Sequence, residues 1–148
     1  MTIKELSQLY WLNREIEYDQ QRLEELEMKA ASPATPKLDG MPRSGSPEGS
    51  RLEALVLEII DLQAIIAAKQ IQCIHERQRL ERYIATVPDS LTRMILTFRF
   101  VNGLPWAQVA HSIGGGNTED SVKKCCYRYL RATEEESESE DDDRPEDF

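Results

Sequence analysis

From Ser50 to Thr86 the chain runs 37 residues without a glycine or a proline, and no other feature limits the fold so strongly. Within this stretch Leu52, Leu55, Ile59, Leu62, Ile66, Cys73, Leu80 and Tyr83 keep a heptad spacing, with Lys69 and Glu76 as polar exceptions in the same register. Apolar residues every 3.5 positions draw one stripe along a helix, and that stripe needs a second helix to cover it. Val56, Ile60, Ile65, Ile71, Ile74 and Ile84 lie off the stripe. They widen the apolar surface beyond what one seam buries. Ser50, with Glu53 three residues on, predicts a capping box at the start.

A covering helix is available upstream. Residues 2–30 also lack glycine and proline, and Leu9, Leu12, Ile16, Leu23, Leu26 and Ala30 follow the same spacing, with Asp19 at one stripe position. Between the two patterns, residues 31–49 hold four prolines and three glycines, a density that no helix survives. The expectation is an all-α chain: a long antiparallel helical hairpin, coiled-coil-like, with an N-terminal helix over 1–30, a linker over 31–49 and a second helix over 50–86. At about 1.5 Å per residue the helices would measure roughly 40 and 55 Å. The surplus apolar surface predicts a homo-oligomer formed through the N-terminal helices.

The net charge of −9 conceals an asymmetry. Residues 134–148 carry ten acids against Arg144, whereas residues 77–133 carry nine bases against four acids. A basic segment joined to a polyanionic end points toward nucleic acid. The acidic end, 133–148, reads as a disordered, solvated tail. Placed beside a basic face, such a tail would compete with DNA as an intramolecular polyanion. Three cysteines are too few and too poorly spaced for a disulfide framework. With no signal peptide pattern and no membrane-length apolar run, the expected location is cytoplasmic, without membrane contact.

Residues 87–132 carry three short helical patterns. Asp89 or Ser90 caps the first, whose apolar positions are Leu91, Met94, Ile95 and Phe98, and Asn102-Gly103 ends it. Pro105 opens the second, with Trp106, Val109, Ala110 and Ile113 facing inward. Gly114, Gly115 and Gly116 permit a tight change of direction. Asn117 or Thr118 caps the third, with Glu119 and Asp120 where the helix dipole favours acids. Val122, Cys125, Cys126, Tyr129 and Leu130 form its inner stripe, and Lys123, Lys124, Tyr127, Arg128 and Arg131 its outer face. Two helices across a glycine turn, the second with an outward cationic face, are the elements of a helix-turn-helix.

The stretch "IATVPDSLTRMILTFRFVNGLPWAQVAHSIGGGNTEDSVKKCCYRYL" resembles region four of the bacterial sigma-70 factors. The likeness lies in the aliphatic first helix ending in Arg-Phe, then Trp-x-x-Val-Ala-x-x-Ile-Gly, then Thr-x-x-Ser-Val-Lys. Residues 1–131, with "MPRSGSPEG" and "LEIIDLQ", further resemble small phage- and prophage-encoded regulators of Gram-positive bacteria. The resemblance implies sequence-specific binding of double-stranded DNA in transcription regulation, of the late-gene regulator type, with RNA polymerase as a further partner. The chain shows no upstream sigma domains, so a complete sigma factor is not expected. The Gly115-Gly116 pair implies a looser turn than the family pattern.

Carried over residue by residue, the DNA-binding positions are Thr118, Glu119, Asp120, Ser121, Lys123, Lys124, Tyr127, Arg128 and Arg131. Glu119 or Asp120 suits cytosine N4, and Lys123 or Lys124 suits guanine O6 and N7. Arg128 and Arg131 suit phosphates, as do Arg99 and Gln108 on the preceding helices. Two rival readings stand beside this one. One is a DNA-packaging recognition subunit like the phage small terminases; the other is an adaptor that binds RNA polymerase or a sigma factor without touching DNA. An enzyme is not expected, since no nucleophile–base pair and no phosphate-binding loop occurs. No cofactor and no metal are expected: Cys73 and His75 point about 200° apart on a helix, and Cys125 and Cys126 serve as core. Trp106 reads as a core anchor and His111 as surface.

Overall fold

The computed structural model describes residues 1–32 and 47–142. Most of the predicted linker, residues 33–46, and residues 143–148 of the predicted tail lie outside them. Among the described residues all regular structure is helical. The elements are α1 (Ile3–Leu6), α2 (Gln8–Ala31), α3 (Pro47–Ala85), α4 (Ser90–Leu96), a π-helical stretch (Thr97–Val101), α5 (Trp106–Ile113) and α6 (Glu119–Asp142). No described helix is long and apolar enough to cross a membrane. The chain divides into two compact units, one made of Leu12–Gln72 and the other of Met1–Trp11 with the chain from Cys73 onward.

In the Leu12–Gln72 unit the heptad stripe is the covered face. Ile16, Asp19 and Leu26 of α2 and Leu62 and Ile66 of α3 are buried, and Leu12, Leu23, Leu55 and Ile59 are half-buried. The two polar residues in the stripes meet each other. Lys69 Nζ lies 2.5 Å from Asp19 Oδ2 and 3.5 Å from Glu15 Oε2, and the hydrogen bond to Asp19, ahead of the carboxylate charges, holds the lysine pKa up. Leu52 departs from the expected stripe and is exposed. Ser50 does not cap: α3 begins at Pro47, because proline suits a first helical position where no N–H is required.

The second unit has a core of Leu6, Leu9, Leu80, Ile84, Val87, Ile95, Leu96, Phe100, Trp106, Val109, Ala110, Val122, Cys126 and Leu130. The expected boundary at residue 87 therefore moves. Three helices as short as α4, α5 and the start of α6 bury too little apolar surface to close a core alone, and Leu6, Leu9, Leu80 and Ile84 complete it. At the N-terminus Thr2 caps α1 in a full capping box with Glu5, whose Oε2 accepts from the Thr2 N–H at 2.7 Å. Arg79 Nη2 donates to the Glu5 carbonyl at 3.3 Å.

Asp89 caps α4: its Oδ2 accepts from Thr92 N at 2.9 Å and from Thr92 Oγ1 at 2.6 Å. These bonds, the hydroxyl one foremost, hold the Asp89 carboxyl below the ordinary aspartate range. The buried face of this region is Thr92, Ile95, Leu96 and Phe100 rather than the expected Leu91, Met94, Ile95 and Phe98. Leu91 and Met94 are exposed, and Phe98 is half-buried. Leu91 and Met94 lie on the other face of α4 from Thr92, Ile95 and Leu96, and the π-helical stretch is what brings Phe100 into line with the buried face. Asn102 N bonds back five residues to Thr97 O at 3.0 Å, and the wider turn rotates the residues beyond Leu96 relative to an α-helix.

The acidic end requires a correction. Residues 134–142 are not disordered but continue α6 to Asp142. A helix already nucleated on its core extends one residue at a time without a new nucleus, and glutamate is a good helix former. Ser137 and Ser139 donate to the Glu134 and Glu136 carbonyls, each at 2.8 Å.

Candidate nucleic-acid interface

Three glycines carry the chain from α5 into α6, all at positive φ: Gly114 at 70°, Gly115 at 65° and Gly116 at 76°. Gly114 combines that φ with a ψ of −153°, a region open essentially to glycine alone. The turn is not loose. Asn117 closes it twice onto the Gly114 carbonyl, through its backbone N–H at 3.2 Å and its side-chain Nδ2 at 2.8 Å. Asn117 thus pins the turn, and Thr118 is the residue that caps α6.

The cap engages two of the expected DNA-facing residues. Thr118 Oγ1 accepts from Ser121 N at 3.2 Å, and Ser121 Oγ accepts from Thr118 N at 2.9 Å. Both hydroxyls are engaged with backbone, so their first role is to start the helix. Glu119 and Asp120 are exposed in the first turn, where the unpaired N–H groups favour acids.

Beyond the cap the inner stripe of α6 is as expected, with Val122, Cys126 and Leu130 buried and Cys125 and Tyr129 half-buried. Burial pushes the Cys126 thiol up to about 12, with the neighbouring Cys125 adding to it, which makes it an inert core group. Opposite this stripe, Lys124, Arg128 and Arg131 are exposed. Together with Tyr127, Ala132 and Glu135 they line one open depression of about 410 Å³. Among the described residues no ion pair involves these three cations. Lys123 does not join them. It lies about 100° around the helix from Lys124 and is half-buried, so the expected four-cation row is a row of three.

The base of this row is held by stacked side chains. Arg99, on the π-helical stretch, places its guanidinium carbon 4.8 Å from the centre of the Trp106 ring and donates to the Leu104 carbonyl at 3.0 Å. On α6, Tyr127 packs against the same tryptophan with ring centres 6.0 Å apart. Phe100 meets it edge-on at 6.5 Å. Trp106 is therefore a core anchor linking three elements, as its place in the sequence suggested. Arg99 is half-buried in that stack rather than displayed for a phosphate backbone, while Gln108 and His111 are exposed. Neither the Arg99 stack nor the Asn117 bond to Gly114 was foreseen. An asparagine directly after the glycine run was a signal for the second.

The acidic end of α6 cannot act as the flexible competitor that a disordered tail would be. Along a straight helix Glu138 lies about 15 Å beyond Arg128, and among the described acidic residues only Glu135 lines the cationic depression. No family model matches the chain, and neither a curated protein nor a solved structure does. The likeness to sigma region four therefore stands on the residues quoted for it.

Proposed function

We propose that the protein binds double-stranded DNA sequence-specifically and regulates transcription, in the manner of phage and prophage late-gene regulators, with no enzymatic activity of its own. In this reading α5, the glycine turn and α6 form a helix-turn-helix, and α2 and α3 form a long antiparallel helical hairpin through which copies associate. The observation that carries the reading is the exposed row Lys124, Arg128 and Arg131 on the helix that follows the turn. An α-helix about 10–12 Å across fits a major groove about 12 Å wide. The charge polarity of α6 favours one insertion. Its first four turns carry the cations, while the acids from Glu134 onward must leave the duplex. A recognition helix docked by its N-terminal residues meets both demands. Within it, Lys124 is placed for guanine edges, Glu119 and Asp120 for cytosine N4, and Arg128 and Arg131 for phosphates.

Selection of duplexes from a random library at low salt, followed by fluorescence anisotropy on the selected site, tests this. Lys124→Ala should weaken binding by about 1–3 kcal/mol and relax preference at one position. Arg128→Ala should weaken all sequences alike and flatten the salt dependence by about one unit of slope. Absence of any duplex binding by the wild type at low salt would refute the proposal and favour the polymerase adaptor. A selected site drawn from packaging sequences, bound by a multi-subunit ring, would favour the terminase-like reading.

A further inference from the structure

The Trp106 unit holds a second concavity, which shares no lining residue with the cationic depression on α6. It measures about 450 Å³, within the range of roughly 300–1,000 Å³ that small-molecule sites occupy. Residues 7–11 form one wall and residues 99–105 the other, all within one compact unit. Tyr10, Trp11, Phe100 and Pro105 make the lining mostly apolar, and Ser7 and Arg99 supply its polar groups.

Two features of this lining exceed what folding needs. The first is the aromatic pair. Tyr10 and Trp11 are 45% and 60% exposed, although Leu6 and Leu9 beside them already close the core. Their rings meet edge to face with centres 5.1 Å apart, a favourable arrangement that holds both in place. Two adjacent aromatic surfaces left in water favour a flat apolar body laid against them.

The second feature is Arg99, the only charged residue of the lining among those described. One face of its guanidinium lies on Trp106 at 4.8 Å, and Nη1 donates to the Leu104 carbonyl at 3.0 Å. The group is therefore oriented before any ligand arrives. Among the described residues Nε and Nη2 have no partner, and no ion pair includes Arg99. These two donors form one edge of the planar fork, which matches the two oxygens of a carboxylate. A single cation complements a single negative charge, whereas a polyanion finds three cations together on α6.

We propose that this concavity binds a small aromatic monocarboxylate, with the carboxylate on the Arg99 edge and the ring against Tyr10 and Trp11. The site goes beyond the DNA reading and does not rest on it. The chain has two tryptophans, so the isotope-labelled full chain gives two indole N–H resonances, from exposed Trp11 and buried Trp106. Phenylacetate should move the Trp11 resonance saturably, with a Kd on the order of 1 mM, as a ligand of this size allows. Phenylacetamide, the same body without the charge, should bind at least about tenfold more weakly. Acetate, the charge without the ring, should leave the resonance in place over the same range. Arg99→Gln should abolish the preference for the acid over the amide. Trp11→Ala, at an exposed position, should weaken both ligands, followed from their own resonances, and keeps the idea testable if Arg99→Gln unfolds. An unmoved Trp11 resonance, equal affinity for acid and amide, undiminished binding to Trp11→Ala, or a folded Arg99→Gln that still prefers the acid would each overturn it. Absence of duplex binding with phenylacetate binding intact would count against the DNA reading alone.

Discussion

The Leu12–Gln72 unit and the unit built around Trp106 bury similar aliphatic residues, yet they obtain a unique arrangement by different means. In the first, the stripe is uniform enough for α2 and α3 to slide past one another. Asp19 and Lys69 meet at 2.5 Å in mid-stripe, and any one-turn slip would leave both without that partner. A polar pair at a core position of this kind sets register at some expense of stability. In the second unit the core is apolar but for Thr92, whose hydroxyl is taken up by Asp89. There shape decides: Trp106 takes Arg99 on one side and Tyr127 on another, and Asn117 and Arg93 tie the turns through backbone carbonyls. Repetitive surfaces need a polar mark to choose among equivalent alignments, whereas irregular ones carry the choice in their own packing.

Large-to-small substitutions should show this contrast most strongly. Leu80→Ala, at a fully buried position in the Trp106 unit, should lower unfolding free energy by about 2–5 kcal/mol. Leu62→Ala, in a seam open along both sides, should fall at the lower end of that range because the site can collapse. Equal losses in urea titrations would show that the seam is packed as rigidly as the Trp106 core.

A smaller effect belongs to the polar pair. Lys69→Ala leaves Asp19 without its partner and should lower stability by about 1–3 kcal/mol. Asp19→Leu together with Lys69→Leu should restore or exceed wild-type stability, with register less well defined. The folded-state pKa of Lys69 is raised, so its contribution is complete below the ordinary lysine value and is lost as pH rises through the raised one. Wild-type stability should therefore fall above about pH 10.4 more steeply than that of the double variant. Parallel alkaline profiles would remove the pair from the account.

The smallest effect is expected at the α4 cap. The Asp89 carboxyl is held down by Thr92; its contribution is present above the ordinary aspartate value and disappears as pH falls through the depressed one. Below about pH 4 the melting temperature of the wild type should drop more steeply than that of Asp89→Asn. Identical acid profiles for the two proteins would show that the cap contributes nothing through its charge.

Much of this was legible because helices write their burial into periodic spacing. The stripes from Leu12 to Leu26 and from Leu55 to Leu80 are covered where the heptads placed them, and the inner faces of α5 and α6 follow theirs. Thr118 and Asp89 were legible as caps because hydroxyl and carboxylate side chains before an apolar pattern have few other uses. The exposed Leu91 and Met94 were not legible. Leu91, Met94 and Phe98 make an α-helical stripe as regular as the buried one through Thr92, Ile95 and Leu96, and a π-helical turn leaves no composition signal in "TFRFV" to show that Phe100 completes the second. The helical Glu134–Asp142 segment was missed for a different reason: net charge was weighed above helix propensity and above the core-anchored turns that precede it.

By itself, then, the sequence determined the helical character of the chain, the face each long helix covers, and the presence of a cationic patch after a glycine turn. These follow from local period and from the residue types that caps and turns demand. Only the tertiary structure decided that Leu6 and Leu9 close the core around Trp106 and that Asp19 belongs to Lys69. Each of these depends on which surfaces meet across long stretches of chain, and spacing along a single helix carries no information about its partner.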